Sequence, residues 1–131
     1  MKNDQLNHLS GIILDACIDV HMQLGPGLLE SVYEYCLCKE LRNRSVKAIR
    51  QVPIPIFYKG EKIEMGFRAD ILVEEEVIIE LKALREVEDI HRAQVITYLK
   101  VTGKKLGLLI NFDVKKIVSG FERFVNKIDE D

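Results

Sequence analysis

Arg68-Ala69-Asp70-Ile71-Leu72-Val73-Glu74-Glu75-Glu76-Val77-Ile78-Ile79-Glu80-Leu81-Lys82 is the stretch on which the reading of this chain turns. Two apolar runs, over residues 62–73 and 77–82, flank three glutamates. That is the pattern of two strands joined by a polar turn. A turn centred on Glu75 pairs Val73 with Val77 and sets Asp70 opposite Glu80. Residues directly opposite on antiparallel strands share a face, with Cβ atoms ~5 Å apart. Side chains alternate along a strand, so Lys82 joins Glu80 on that face and Arg68 joins Asp70. The expected product is two acids, a lysine and an arginine in one small area.

A plainer reading competes with this one. Alternating charges on an exposed strand are common, and Glu80 and Lys82 would then be a solvated pair while Asp70 caps a turn. The unbroken Val77-Ile78-Ile79 run weighs against it, because continuous apolar sequence marks a strand buried on both faces. Two carboxylates among apolar neighbours repel each other and resist desolvation. A divalent cation resolves that conflict. Mg²⁺ (or Mn²⁺) takes oxygen ligands, keeps several waters, and is held by one or two carboxylates plus a substrate phosphate. The main-chain carbonyl of Leu81 is expected near the same ion. Lys82 would hold the attacking water or neutralise charge developing on the phosphate.

Outward from the hairpin, Leu6, Leu9, Ile13, Ala16, Val20 and Leu24 recur at helical spacing and predict an amphipathic helix over 4–24. Gly25-Pro26-Gly27 stops it. A second helix is expected over 28–43, with Leu29, Val32, Cys36, Leu37 and Leu41 on its inner side. Residues 52–58 are apolar but carry Pro53 and Pro55, which suits an edge strand. Lys59-Gly60 turns the chain. After the hairpin, residues 87–101 read as a helix ending near Gly103, and 106–110 as a buried strand. Residues 115–128 fit a strand or a helix. The order of helix, helix, three strands, helix, strand predicts an α/β fold with a mixed sheet flanked by helices.

Composition sets the outer bounds. A chain of 131 residues fits one domain, 1–131. No apolar run reaches the ~18 residues of a membrane span, and the first residues lack the order of a signal peptide. Cys17, Cys36 and Cys38 are an odd set without a CxxC pair, which argues against a structural zinc site and a disulfide framework. They read as buried thiols in a reducing cytoplasm. The net charge of −2 excludes a protein that is basic all over, so phosphate must be met by a local patch or by bound cations. Lys39, Arg42, Arg44, Lys47 and Arg50 form one basic group and Lys100, Lys104 and Lys105 another; each is a phosphate patch or a solvated face. No zinc-finger, helix-turn-helix or RNA-recognition motif is present.

On the third helix, His91, Gln94 and Tyr98 fall within an arc of about 60°. Around them lie Ile90, Ala93, Val95, Ile96 and Leu99. A polar stripe on an otherwise buried helix faces a site or a groove, or else makes a structural hydrogen bond. Neither His91 nor His8 and His21 has metal-ligand partners at useful spacing.

Several of these segments carry a resemblance. Asp70 followed after nine residues by Glu80-Leu81-Lys82 is similar to the D…ExK signature of the PD-(D/E)XK nuclease superfamily. Gly27-Leu28-Leu29-Glu30-Ser31-Val32-Tyr33 resembles the GxxExxY signature of a small family assigned to that superfamily. Gln94-Val95-Ile96-Thr97-Tyr98 resembles the QxxxY motif of its RecB-type members, and Asn111-Phe112 also resembles the GxxExxY family. The superfamily's proline before the first acid is replaced by Ala69. The resemblance covers residues 6–125 and implies a restriction-endonuclease-like αβββαβ core. It implies Glu30, Asp70 and Glu80 as metal ligands and Lys82, with Gln94 and Tyr98, as catalytic residues. The expected function is Mg²⁺-dependent hydrolysis of phosphodiester bonds, in DNA rather than RNA. The alternative is a non-catalytic module that keeps the nuclease fold and binds a protein or nucleic-acid partner. A homodimer is one way for a domain this small to embrace a duplex.

Overall fold

The three glutamates do make the turn. In the computed structural model, which describes residues 1–126, Glu74 and Glu75 adopt left-handed backbone angles and Val73 pairs with Val77. Successive left-handed residues match the right-handed twist of the strands they join. Lys59 and Gly60 are likewise left-handed and close the preceding hairpin.

The elements run α1 (Asn3–Leu24), α2 (Glu30–Asn43), β1 (Ala48–Tyr58), β2 (Glu61–Val73), β3 (Val77–Lys82), α3 (Asp89–Thr102), β4 (Leu106–Asn111), a 3₁₀ turn (Ile117–Gly120) and β5 (Phe121–Val125). The strands form one sheet in the order β1-β2-β3-β4-β5. β1 pairs antiparallel with β2, β2 with β3, and β4 with β5, while β3 and β4 are parallel. Parallel neighbours need a crossover, and α3 supplies it. The fold is α/β and restriction-endonuclease-like, with the expected αβββαβ order preceded by α1 and followed by β5. The 115–128 segment resolves into the 3₁₀ turn and β5; its last residues, from Lys127, lie outside the described residues.

Two apolar layers hold the sheet. On one face Leu6, Leu9, Ile13, Val20, Tyr33 and Leu37 from α1 and α2 meet Ile71, Val73, Val77, Ile79, Leu81 and Leu108. On the other, Leu99 of α3 packs with Ile54, Ala69 and Ile78. A Cβ on Gly107 would come within 2.9 Å of Val95 Cγ1 and 3.3 Å of Leu99 Cδ1, so α3 sits directly on that glycine. Pro53 and Pro55 lie in β1, an edge strand, where missing N–H groups discourage further pairing.

Three expectations change. The inner face of α2 is Tyr33, Glu34, Leu37, Cys38 and Leu41; Leu29 is 74% exposed and Val32 37%, because Leu29 is the N-cap rather than a helical residue. Cys17 and Cys38 are buried but Cys36 is half-buried. Nor is α3 buried all round: Val95 and Leu99 are its buried residues, while Ile90 is 60% and Ile96 54% exposed.

Candidate active site

β3 has unequal neighbours. All six of its residues pair with β4, ending at Lys82 opposite Asn111, but its ladder with β2 ends at Ile71 and Ile79. Carrying that register one step further sets Asp70 opposite Glu80, as expected. There the strands part. The Leu81 N–H donates to Asp70 Oδ2 at 2.8 Å, so a side chain takes the place of the next ladder bond. Lys82 O turns the other way and accepts from Phe112 N–H across β4. Main-chain groups alternate direction along a strand, so the Leu81 carbonyl is directed to the β2 side, into the notch that Asp70 lines.

Glu80 has the parity of Ile78, which packs on the α3 side of the sheet, and Lys82 follows with the same parity. Burial pushes the Glu80 carboxyl up to about 8; the Asp70 charge adds to the rise, and Lys82 and the nearby Asp70 N–H oppose it. Burial also lifts the Asp70 carboxyl, with the Leu81 N–H and Lys82 pulling it back and Glu34 and Glu30 raising it. Glu80 Oε1 is buried and has no hydrogen-bond partner among the described residues. Lys82 is half-buried and forms no ion pair with either acid.

The other expected residues arrange themselves unequally around this notch. Glu30 opens α2 and is exposed, yet its charge reaches both Asp70 and Glu80. It lines a groove of about 390 Å³ with Leu28, Leu29, Ser31 and Ala83. Tyr98 is half-buried and stacks on Phe67 with centroids 3.9 Å apart. Burial, then the charges of Glu80 and Asp70, raise its phenol. Gln94 is exposed. Neither side chain is held by a structural hydrogen bond among the described residues. Arg68 does not join the acids: it is exposed and donates to Gln51 O at 3.2 Å. His91 caps its own helix, its Nδ1 accepting from Glu88 N–H. The first basic group is also committed elsewhere, Arg44 to Glu40, Asp15 and Asp19, and Arg50 to Glu34.

Two of the motif residues are clamps. The Tyr33 hydroxyl donates to Gly25 O at 2.6 Å and accepts from Leu28 N–H at 3.0 Å, binding together the two ends of the Gly-Pro-Gly loop that delivers Glu30. Its ring stacks on Phe112 at 4.5 Å. Asn111 accepts from Leu84 N–H and donates to Leu84 O, holding the segment after Lys82 as another strand would. Sequence reading missed Glu34, which is 6% exposed and one turn beyond Glu30. The signal was a charged residue in line with Leu37 and Leu41, but its partners, Arg50 and Gln51, lie in another element.

The donor set fits a divalent ion. Two oxygen-bearing acids converge, and one buried oxygen lacks a partner. Among the described residues no three His, Cys, Asp or Glu side chains cluster into a metal cage. A larger cavity of about 700 Å³ lies by Arg85, Asp89, Arg92 and Glu122 and touches Asn111, but neither Asp70 nor Glu80 lines it; chemistry, not size, marks the site.

The model of the PD-(D/E)XK nuclease superfamily matches residues 7–124. The chain belongs to the PD-(D/E)XK nuclease superfamily. A solved structure titled "Crystal structure of SSO0001" is similar in fold, with a TM-score of 0.54 at 20% identity over 76% of this chain and 52% of that one. The chain therefore spans about half the length of that relative. No curated protein matches it. Among the described residues no helix is long and apolar enough to cross a membrane.

Proposed function

We propose that residues 1–131 act as one metal-dependent phosphodiesterase unit, with DNA as the first substrate to test and RNA as the second. The buried Glu80 Oε1 near Asp70, without a hydrogen-bond partner among the described residues, carries this reading. Asp70, Glu80 and the Leu81 carbonyl would hold Mg²⁺ or Mn²⁺, with Glu30 contributing from the open side. The ion, once bound, supplies Lewis acidity at the phosphate. Lys82 supplies a positive charge on the same face and holds the attacking water or offsets charge on the phosphate. Tyr98 and Gln94, free of structural bonds, contact substrate at the rim. The Gly27…Tyr33 run supports placing the chain in the GxxExxY family within the superfamily. The reducing compartment that suits its three free thiols is the cytoplasm, and a homodimer would let so small a unit grip a duplex.

The test is incubation with labelled single- and double-stranded DNA and RNA in Mg²⁺, Mn²⁺ or EDTA. Cleavage with either ion and none in EDTA is the expected result. Nucleic-acid binding without cleavage, in a protein that takes up no divalent ion at millimolar concentration, would leave the binding-module reading.

A further inference from the structure

Glu34 is a buried acid whose bonds all lead to one place. Its Oε1 accepts from Arg50 Nε at 3.0 Å, and both its oxygens accept from Gln51 Nε2, at 3.1 and 3.0 Å. Gln51 lies within β1, yet its φ is +53°, a left-handed angle that side-chain-bearing residues disfavour. The β1–β2 ladder runs to Arg50 and Ile71, skips one pair, and resumes in the same register at Val52 and Ala69. The skipped pair is Gln51 and Asp70. The Gln51 carbonyl is held by Arg68 Nη1. On the far side of β2, the ladder with β3 also stops one residue short of Asp70.

The packing changes at the same point. Ile71 and Val73 pack against the α1–α2 layer. Ala69 and Phe67 have the same parity but pack with Leu99 and Tyr98 of α3. The hairpin therefore rolls between residues 69 and 71, where Gln51 lies alongside.

We propose that Gln51, locked by Glu34, is the positioning residue for Asp70. Its left-handed turn rolls the hairpin, frees the Asp70 main chain from both ladders, and lets the carboxylate swing to the Leu81 N–H. Regular strand geometry at Gln51 would extend the ladder through Asp70 and remove the roll. The proposal deepens the reading of the same site and rests on it only for the metal readout.

The Leu81 amide reports Asp70 placement without metal or substrate. Glycine accepts the left-handed angle, so Gln51→Gly removes the clamp without adding strain. In Gln51→Gly and Glu34→Ala, Leu81 amide exchange should quicken roughly tenfold and its proton should shift upfield, with the Val77 and Ile79 amides unchanged. Glu34→Gln keeps an acceptor for Gln51 and should stay close to wild type. Mn²⁺ affinity should weaken in step with the Leu81 signal. An unchanged Leu81 amide in Gln51→Gly overturns the proposal, and this variant decides alone if Glu34→Ala does not fold. Glu34→Gln as damaging as Glu34→Ala also overturns it, since Glu34 would then be only a counter-ion for Arg50. A wild type that binds no Mn²⁺ sinks the nuclease reading but leaves the Leu81 comparison decisive here.

Discussion

Glu80 occupies the middle strand with one oxygen unpartnered among the described residues, and burial pushes its carboxyl from an ordinary 4.5 up to about 8. Across that window the folded protein holds a proton that the unfolded chain releases. The contribution of this group to stability is therefore full below about 4.5 and is lost as pH rises through about 8. Without metal, the melting temperature should fall over this range, and Glu80→Gln, which cannot titrate, should flatten the slope. A divalent ion competes with the same proton, so Mn²⁺ affinity measured by calorimetry should climb as pH rises. Asp70 and Lys82 separate binding from chemistry. Asp70→Asn removes repulsion and keeps an acceptor for Leu81 N–H, so the metal-free protein should be as stable as wild type or more so. It should lose the thermal stabilisation that metal confers. Lys82→Ala should keep metal binding while cleavage drops ~10²–10⁴-fold, the range for one positioned catalytic group. Wild-type turnover by Lys82→Ala would remove Lys82 from the mechanism.

Between elements, the site depends on two side chains that mimic backbone. Tyr33 joins Gly25 O to Leu28 N–H, and Asn111 joins both main-chain groups of Leu84. Tyr33→Phe keeps the stack on Phe112 but strands a donor and an acceptor, so it should cost about 1–3 kcal/mol by denaturant titration. Loss of activity beyond the loss of stability would show that the loop places Glu30. These clamps were legible only in part. The motif letters singled out Tyr33 and Asn111, but not what they bind, because Gly25 and Leu84 carry no side-chain signal. The inner face of α2 was misread for a different reason. Leu37 and Leu41 were placed correctly, but Leu29, Val32 and Cys36 are as apolar as Tyr33 and Cys38, and helical spacing alone cannot choose between two apolar stripes. The N-cap role of Leu29 and the depth of Tyr33 decide it, and both depend on where the loop is tied.

Across the whole molecule, local signals were legible and long-range pairings were not. The Glu74-Glu75-Glu76 turn fixed the register of Val73 on Val77, and with it the approach of Asp70 to Glu80. Gln51 showed no sign of its left-handed angle, because its cause is Glu34, in α2. Arg68 was expected beside the acids and the first basic group as a phosphate patch or a solvated face; instead Arg68 holds the Gln51 carbonyl, Arg44 meets three acids and Arg50 meets Glu34, and outside that group Arg92 meets Asp89 and Glu122. With a net charge of −2 and these cations neutralised at home, the chain has little to offer a polyanion by itself. Attraction to nucleic acid should come mainly through the ion at Asp70 and Glu80. Fluorescence anisotropy on labelled DNA can measure this with Lys82→Ala, which should bind without rapid cleavage. Binding should be readily detected in Mn²⁺ and collapse in EDTA. Its salt dependence should be shallow, with a log–log slope of about −2 to −3 rather than the roughly −6 to −10 of proteins that contact many phosphates. Tight binding in EDTA with a steep slope would mean that Lys100, Lys104 and Lys105 act as a phosphate patch of their own, and that affinity belongs to that surface rather than to the metal.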